Sequence, residues 1–201
     1  MNQSNQLNVV VLGHSWVRDL GRLWENASPP YQVCHGDHTL TIKTYAKPGG
    51  TYSDFISDFE GFKPLLLQNP EVIVVLLGSN DIKVDVPLQA VKNQAIDLYK
   101  LIKETAPNGK LYTVEIEDRF LWQTNRHGTP DESEYRRLSR HLNRLIKKAP
   151  HKDGVLVIRG NILSNERLYK RDKTHLNSFG LRTYAQWLET SIIQYYNKQN
   201  N

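Results

Sequence analysis

The 201-residue chain is 39% hydrophobic and 23% charged, which is enough apolar material for a sizeable core. Its mean hydropathy of −0.56 and lack of any long uncharged apolar stretch exclude a membrane-spanning segment, and a single cysteine, Cys34, excludes an intramolecular disulfide and suits a reducing compartment. The net charge of +5 and pI near 9.2 give a mild preference for anionic partners. The N-terminal "MNQSNQLNVVVLG" has no basic start and too short an apolar run for a signal peptide, so an intracellular, cytoplasmic protein is expected. No linker, repeat or low-complexity run divides the chain, and one domain over 1–201 is expected.

In chain order, the apolar run Asn8 to Leu12 predicts a buried strand, followed at once by a helix over Ser15 to Trp24. Gly13, His14 and Ser15 lie in the turn between them. Ser15 has two readings at this point, as the helix cap that satisfies unpaired backbone N–H groups or as a nucleophile. "CHGDH", Cys34 to His38, reads as a loop before the next strand; it holds ligand-type residues, but a second group at zinc-site spacing is missing, so no metal is expected. A second strand is predicted over Leu40 to Ala46, ending in "AKPGGTYSD", and Tyr52 to Leu67 contains a helix.

The third strand, Val72 to Leu77, is almost wholly apolar, as parallel strands buried on both faces are, and it runs into "GSND". A helix over Leu88 to Glu104 follows, with Val91, Ala95, Leu98, Leu101 and Ile102 at helical spacing. The fourth strand is predicted over Leu111 to Ile116. The segment Asp118 to Thr129, with Phe120, Leu121 and Trp122, would either wall an apolar site or pack on the core. "TPDE" then predicts a helix start with Thr129 as N-cap, Pro130 in the first position and Glu132 completing a capping box. Lys147, Lys148 and Pro150 mark its end. A fifth strand, Gly154 to Ile158, and a final helix, Ser178 to Tyr196, bracket "DKTHLNSFG".

This alternation predicts an α/β fold, doubly wound and flavodoxin-like, in three α/β/α layers around a five-stranded parallel sheet. Ligands of such sheets bind beyond the carboxyl ends of the strands, and that is where the polar residues collect. Asp172 and His175 are three apart in a loop, a spacing that lets the carboxylate meet the ring's Nδ1–H. No GxGxxG follows a strand, there is no P-loop, and "GHSWV" lacks the second glycine of GxSxG; no cofactor is expected.

Gly13-His14-Ser15, Gly50 in "PGGT", Gly78-Ser79-Asn80-Asp81 and Asp172-Lys173-Thr174-His175 resemble, in order and separation, the four blocks of the SGNH hydrolases, or GDSL-type esterases. The resemblance spans nearly the whole chain. It implies Ser15 as nucleophile, His175 as general base and acid, and Asp172 as the group that orients the imidazole. It also implies an oxyanion hole made of the Ser15 and Gly50 backbone N–H groups and the Asn80 amide, with Gly50 preferred to Gly49 because it precedes the small polar Thr51.

One position departs from the family's pattern, since His14 stands where an Asp usually precedes the nucleophile. His14 and Asp81 are candidate modulators of the site, His14 through packing or through its own titration. "GHSWVRDL" is also similar to "GHSFVRRL"-type starts of SGNH-like domains encoded in animal retroelements.

Two functions follow from this reading. The first is a serine esterase acting on small or short-acyl esters. The second is a catalytically idle module on the same fold that binds nucleic acid or an anionic membrane surface through Arg136, Arg140, Arg144 and Lys147. Against the second, Tyr135, Leu138, Leu142, Leu145 and Ile146 at helical spacing leave those cations on an ordinary solvated face. A further basic cluster, "RLYKRDK", holds Arg167, Lys170, Arg171 and Lys173.

Overall fold

The computed structural model describes residues 5–117, 130–149, 155–159 and 165–200. β1 (Asn5–Gly13) leads into α1 (Ser15–Glu25), then β2 (Gln32–His35) and β3 (His38–Ala46), followed by α2 (Tyr52–Ser57) and α3 (Phe59–Leu66). β4 (Val72–Leu76), α4 (Leu88–Thr105), β5 (Lys110–Val114), α5 (Glu132–Lys148), β6 (Val155–Ile158) and α6 (Ser178–Asn200) complete the chain, with a 3-10 turn at Glu166–Leu168 before α6.

The strands form one sheet in the order β2-β3-β1-β4-β5-β6. Neighbours from β3 to β6 are parallel and β2 pairs antiparallel with β3. Without β2, the order is the doubly wound one expected from the sequence. The chain leaves β1 for β3 on one side and later crosses to β4 on the other, so the order reverses at β1. The crevice beyond the carboxyl end of β1 is therefore where such a fold places its ligand.

Alternate residues of each strand feed two cores. Val9, Val11, Val72, Val74 and Tyr112 pack with Trp16, Leu20 and Trp24 of α1 and Tyr184, Leu188 and Ile192 of α6. Val10, Leu12, Ile73, Val75 and Leu111 pack with Tyr52 and Phe55 of α2, Phe62 of α3, Leu98 and Ile102 of α4 and Leu142 of α5. Both faces of β4 are thus covered, which is why its sequence is an unbroken apolar run. Among the described residues no helix is long and apolar enough to cross a membrane.

Two expectations need correction. The sheet has six strands, because part of "CHGDH" is not a loop: Cys34 and His35 end β2, His38 begins β3, and His35 pairs with His38 around a two-residue turn. Gly36 takes the positive φ (+60°) that such a hairpin turn needs. β2 is four residues long and half exposed, too short and too wet to leave an alternating pattern. The second correction concerns α5. It begins at Glu132, and Asp131 is its cap, the carboxylate accepting from the Glu134 N–H at 2.8 Å. Pro130 precedes the helix, and Thr129 lies outside the described residues, as does the rest of the segment from Asp118. Asp competes well with Thr for a helix start because its charge also meets the positive end of the dipole.

Candidate active site

The turn from β1 into α1 decides what Ser15 is able to do. His14 is the N-cap of α1: its backbone is extended, its carbonyl accepts from Val17 at 3.0 Å, and its Nδ1 accepts from the Trp16 N–H at 3.4 Å. The ring is 5% exposed and meets the Trp16 indole edge to face. A short Asp would fill the same role, so His14 keeps the capping bond although the residue type changes. With the cap supplied by its neighbour, Ser15 is released from that duty. Among the described residues its backbone N–H has no acceptor, as expected of a first-turn helical donor.

The Ser15 hydroxyl instead meets His175. Their Oγ and Nε2 are 3.2 Å apart, and His175 Nδ1 is 2.7 Å from Asp172 Oδ2. A carboxylate only accepts, so Nδ1 carries the ring proton and the Nε2 lone pair faces the serine. Asp172 Oδ1 accepts from the backbone N–H groups of Thr174 (3.0 Å) and His175 (2.9 Å). Partial burial works to raise the Asp172 pKa, but those two N–H groups and the imidazole outweigh it and hold the carboxyl below its ordinary value. It is ionised at neutral pH.

The loop that carries this pair is tied at both ends. Tyr169 and Leu176 form an antiparallel bridge, and Lys170 N–H donates to the His175 carbonyl at 2.7 Å. Asn177 caps α6 by accepting from the Gly180 N–H at 2.9 Å, while its amide donates to the carbonyls of Arg167 and Tyr169. Trp16 then pins the loop to α1, its Nε1–H donating to the Thr174 carbonyl at 3.1 Å. The sequence reading did not assign Trp16 a role. Its signal is generic: a buried indole has one N–H to satisfy, and only the fold shows which carbonyl takes it.

The remaining loops approach from β3 and β4. Lys47 to Gly50 form a tight turn in which Pro48 precedes Gly49 at φ +75° and the Gly50 N–H donates to the Lys47 carbonyl at 2.8 Å. The N–H of Gly50 is thereby engaged inside the turn. What Gly50 presents is its carbonyl, which accepts from Asn80 Nδ2 at 3.1 Å. The next residue, Asp81, accepts from the Tyr52 N–H at 3.1 Å, so two neighbours in the loop after β4 grip the loop after β3. Asp81 is 5% exposed, and burial pushes its carboxyl up to about 6. The β1 and β4 loops are joined as well, by the His14 N–H on the Leu76 carbonyl.

Other candidates do not join this group. His35 meets Thr190 and His38 meets Asn197, and no three metal-ligating side chains are grouped to hold an ion among the described residues. On α5, Arg136 pairs with Glu132 at 2.6 Å, and Lys147 pairs with Glu115.

Residues 11–182 match the model of the GDSL-like lipase/acylhydrolase family. No curated protein sequence matches the chain. Among solved structures, it resembles the psychrotrophic esterase EstA from Pseudoalteromonas sp. (17% identity, 94% of this chain and 98% of that one, TM-score 0.65). It also resembles the acetylxylan esterase Axe2 from Geobacillus stearothermophilus (16%, 96% of each, 0.63) and the acetyl xylan esterase AlAXEase (15%, 92% of this chain and all of that one, 0.63). At these identities the structures establish a shared three-layer fold. The family match spans all four sequence blocks and most of the chain, and on that ground the protein belongs to the GDSL-like lipase/acylhydrolase family, the SGNH-type carboxylic ester hydrolases.

Proposed function

We propose that this protein is a serine esterase that removes small acyl groups, with Ser15, His175 and Asp172 as its catalytic triad. The observation that carries the reading is the unbroken path from Ser15 Oγ to His175 Nε2 (3.2 Å) and from His175 Nδ1 to Asp172 Oδ2 (2.7 Å). Ser15 Oγ attacks the ester carbonyl as Nε2 takes its proton. The imidazolium, held by the ionised Asp172, returns that proton to the departing alcohol oxygen. Water then repeats the sequence on the acyl-enzyme and releases the acid.

The developing oxyanion is served by the Ser15 N–H at the positive end of α1 and by the Asn80 amide, which the Gly50 carbonyl orients through one of its two donors. A small acyl group is supported by the structural relatives, two of which are named as acetylxylan esterases.

The test compares 4-nitrophenyl acetate, butyrate and octanoate with the wild type and Ser15→Ala. The expected result is activity that falls with chain length and vanishes in the variant. Wild-type rates equal to the variant's on all three esters would overturn the proposal, and rates rising toward octanoate would overturn the small-acyl assignment.

A further inference from the structure

The loop that carries Asp172 and His175 also lines a groove of about 630 Å³, through Glu166, Arg167, Tyr169, Lys170, Arg171 and Lys173. Lys173 pairs with Glu166, so those two charges offset each other. Asp172 is engaged by the His175 ring and by two backbone N–H groups. Arg167, Lys170 and Arg171 are exposed, and among the described residues none has a carboxylate within salt-bridge distance. Three uncompensated cations on one short stretch repel one another, and a bound anion would relieve that repulsion.

Their position relative to the chemistry is set by the loop. Lys173 precedes His175 by two residues, so their Cα atoms are at most about 7 Å apart. The Tyr169–Leu176 bridge and the Asn177 amide, bonded to the carbonyls of Arg167 and Tyr169, hold the cationic stretch and the His175 segment in one arrangement. Resting on the esterase reading above, the departing alcohol oxygen must come within hydrogen-bond reach of His175 Nε2 to receive its proton. The groove is built by the same loop that presents His175 to the departing alcohol.

We propose that this groove is a leaving-group subsite for an anion, and that the preferred substrates are small-acyl esters whose alcohol carries a phosphate or carboxylate a few bonds from the ester oxygen. The basic stretch "RLYKRDK" selects the alcohol.

The experiment measures acetate release from esters of one ethanol skeleton: 2-acetoxyethyl phosphate, 3-acetoxypropanoate, neutral 2-methoxyethyl acetate and cationic acetylcholine. The enzymes compared are the wild type and the triple variant R167Q/K170Q/R171Q. The readout is the ratio of kcat/KM for each charged ester to that for the neutral one. The wild type should favour the phosphate ester by about tenfold, as expected of three solvent-exposed ion pairs acting together, and disfavour acetylcholine. In the triple variant both ratios should move to within about twofold of one.

Raising ionic strength from about 0.01 M to about 1 M shortens the screening length from about 30 Å to about 3 Å and should compress the wild-type ratios in the same way. The 3-acetoxypropanoate arm separates a general anion subsite from one that needs the second phosphate charge. Wild-type ratios near one, or ratios that the triple variant leaves intact, would overturn the subsite. If the wild type turns over the neutral ester without charge preference, the subsite falls and the esterase stands. If it turns over none of the four and leaves 4-nitrophenyl acetate untouched, the esterase reading falls and the subsite falls with it.

Discussion

Replacing Asp81 by Asn changes how stability depends on pH, and the structure gives the size of the change. Asp81 Oδ1 accepts from the Tyr52 N–H, while Oδ2 is buried with no hydrogen-bond partner among the described residues. Burial is the largest influence on its carboxyl and raises the pKa; the bonds from Tyr52 and Gly78 lower it, Asp54 raises it further and Lys83 lowers it, with a net value of about 6 against an ordinary 3.8. Because the folded-state pKa lies above the unfolded one, the group's stabilising contribution is complete below about 3.8 and is lost as pH rises through about 6.

At about 1.4 kcal/mol per tenfold in proton affinity, that difference is worth about 3 kcal/mol. The amide that replaces the carboxyl does not titrate and keeps an acceptor for the Tyr52 N–H. The stability of Asp81→Asn relative to wild type should therefore rise by about 2–3 kcal/mol between about pH 4 and about pH 7. Any constant cost of seating the amide cancels from this difference. Urea unfolding of both proteins across that range measures it. Two stability curves that run parallel with pH would refute the argument, because a carboxyl with an ordinary pKa gives no such divergence.

Three further outcomes follow from the site. Asn80→Ala should lower kcat by about a hundredfold or more, as loss of an oxyanion donor does, and a variant within threefold of wild type in steady-state assays would remove Asn80 from that role. Trp16→Phe keeps the ring but deletes the bond to the Thr174 carbonyl; loosening the His175 loop should cut kcat by about tenfold with little change in KM, and an unchanged kcat would show that the loop stands without it. A Cβ at Gly180 would lie 2.1 Å from the Leu168 carbonyl oxygen, so Gly180→Ala should cost about 1–3 kcal/mol in denaturant unfolding; a variant as stable as wild type would mean that α6 shifts there freely.

The sequence by itself determined the doubly wound core of this protein. Residues such as Val9 to Leu12 and Val72 to Leu76 are apolar at every position, and only strands covered on both faces require that. It also placed Ser15, Asn80, Asp172 and His175 at strand ends and before the last helix, because glycine turns and polar residues punctuate an apolar alternation in a readable way.

Tertiary structure decided what depends on partners far apart in the chain. The antiparallel β2 exists because a hairpin brings it against β3, and its four half-exposed residues carry no pattern of their own. His14 takes over the cap and so releases Ser15 for His175, which lies 160 residues further on. Gly50 is a glycine of the expected block, yet that its N–H closes a turn depends on where Lys47 places its carbonyl. Hydrophobic periodicity is a local property of the chain, whereas a hydrogen bond's direction is fixed only once both partners have been folded into place.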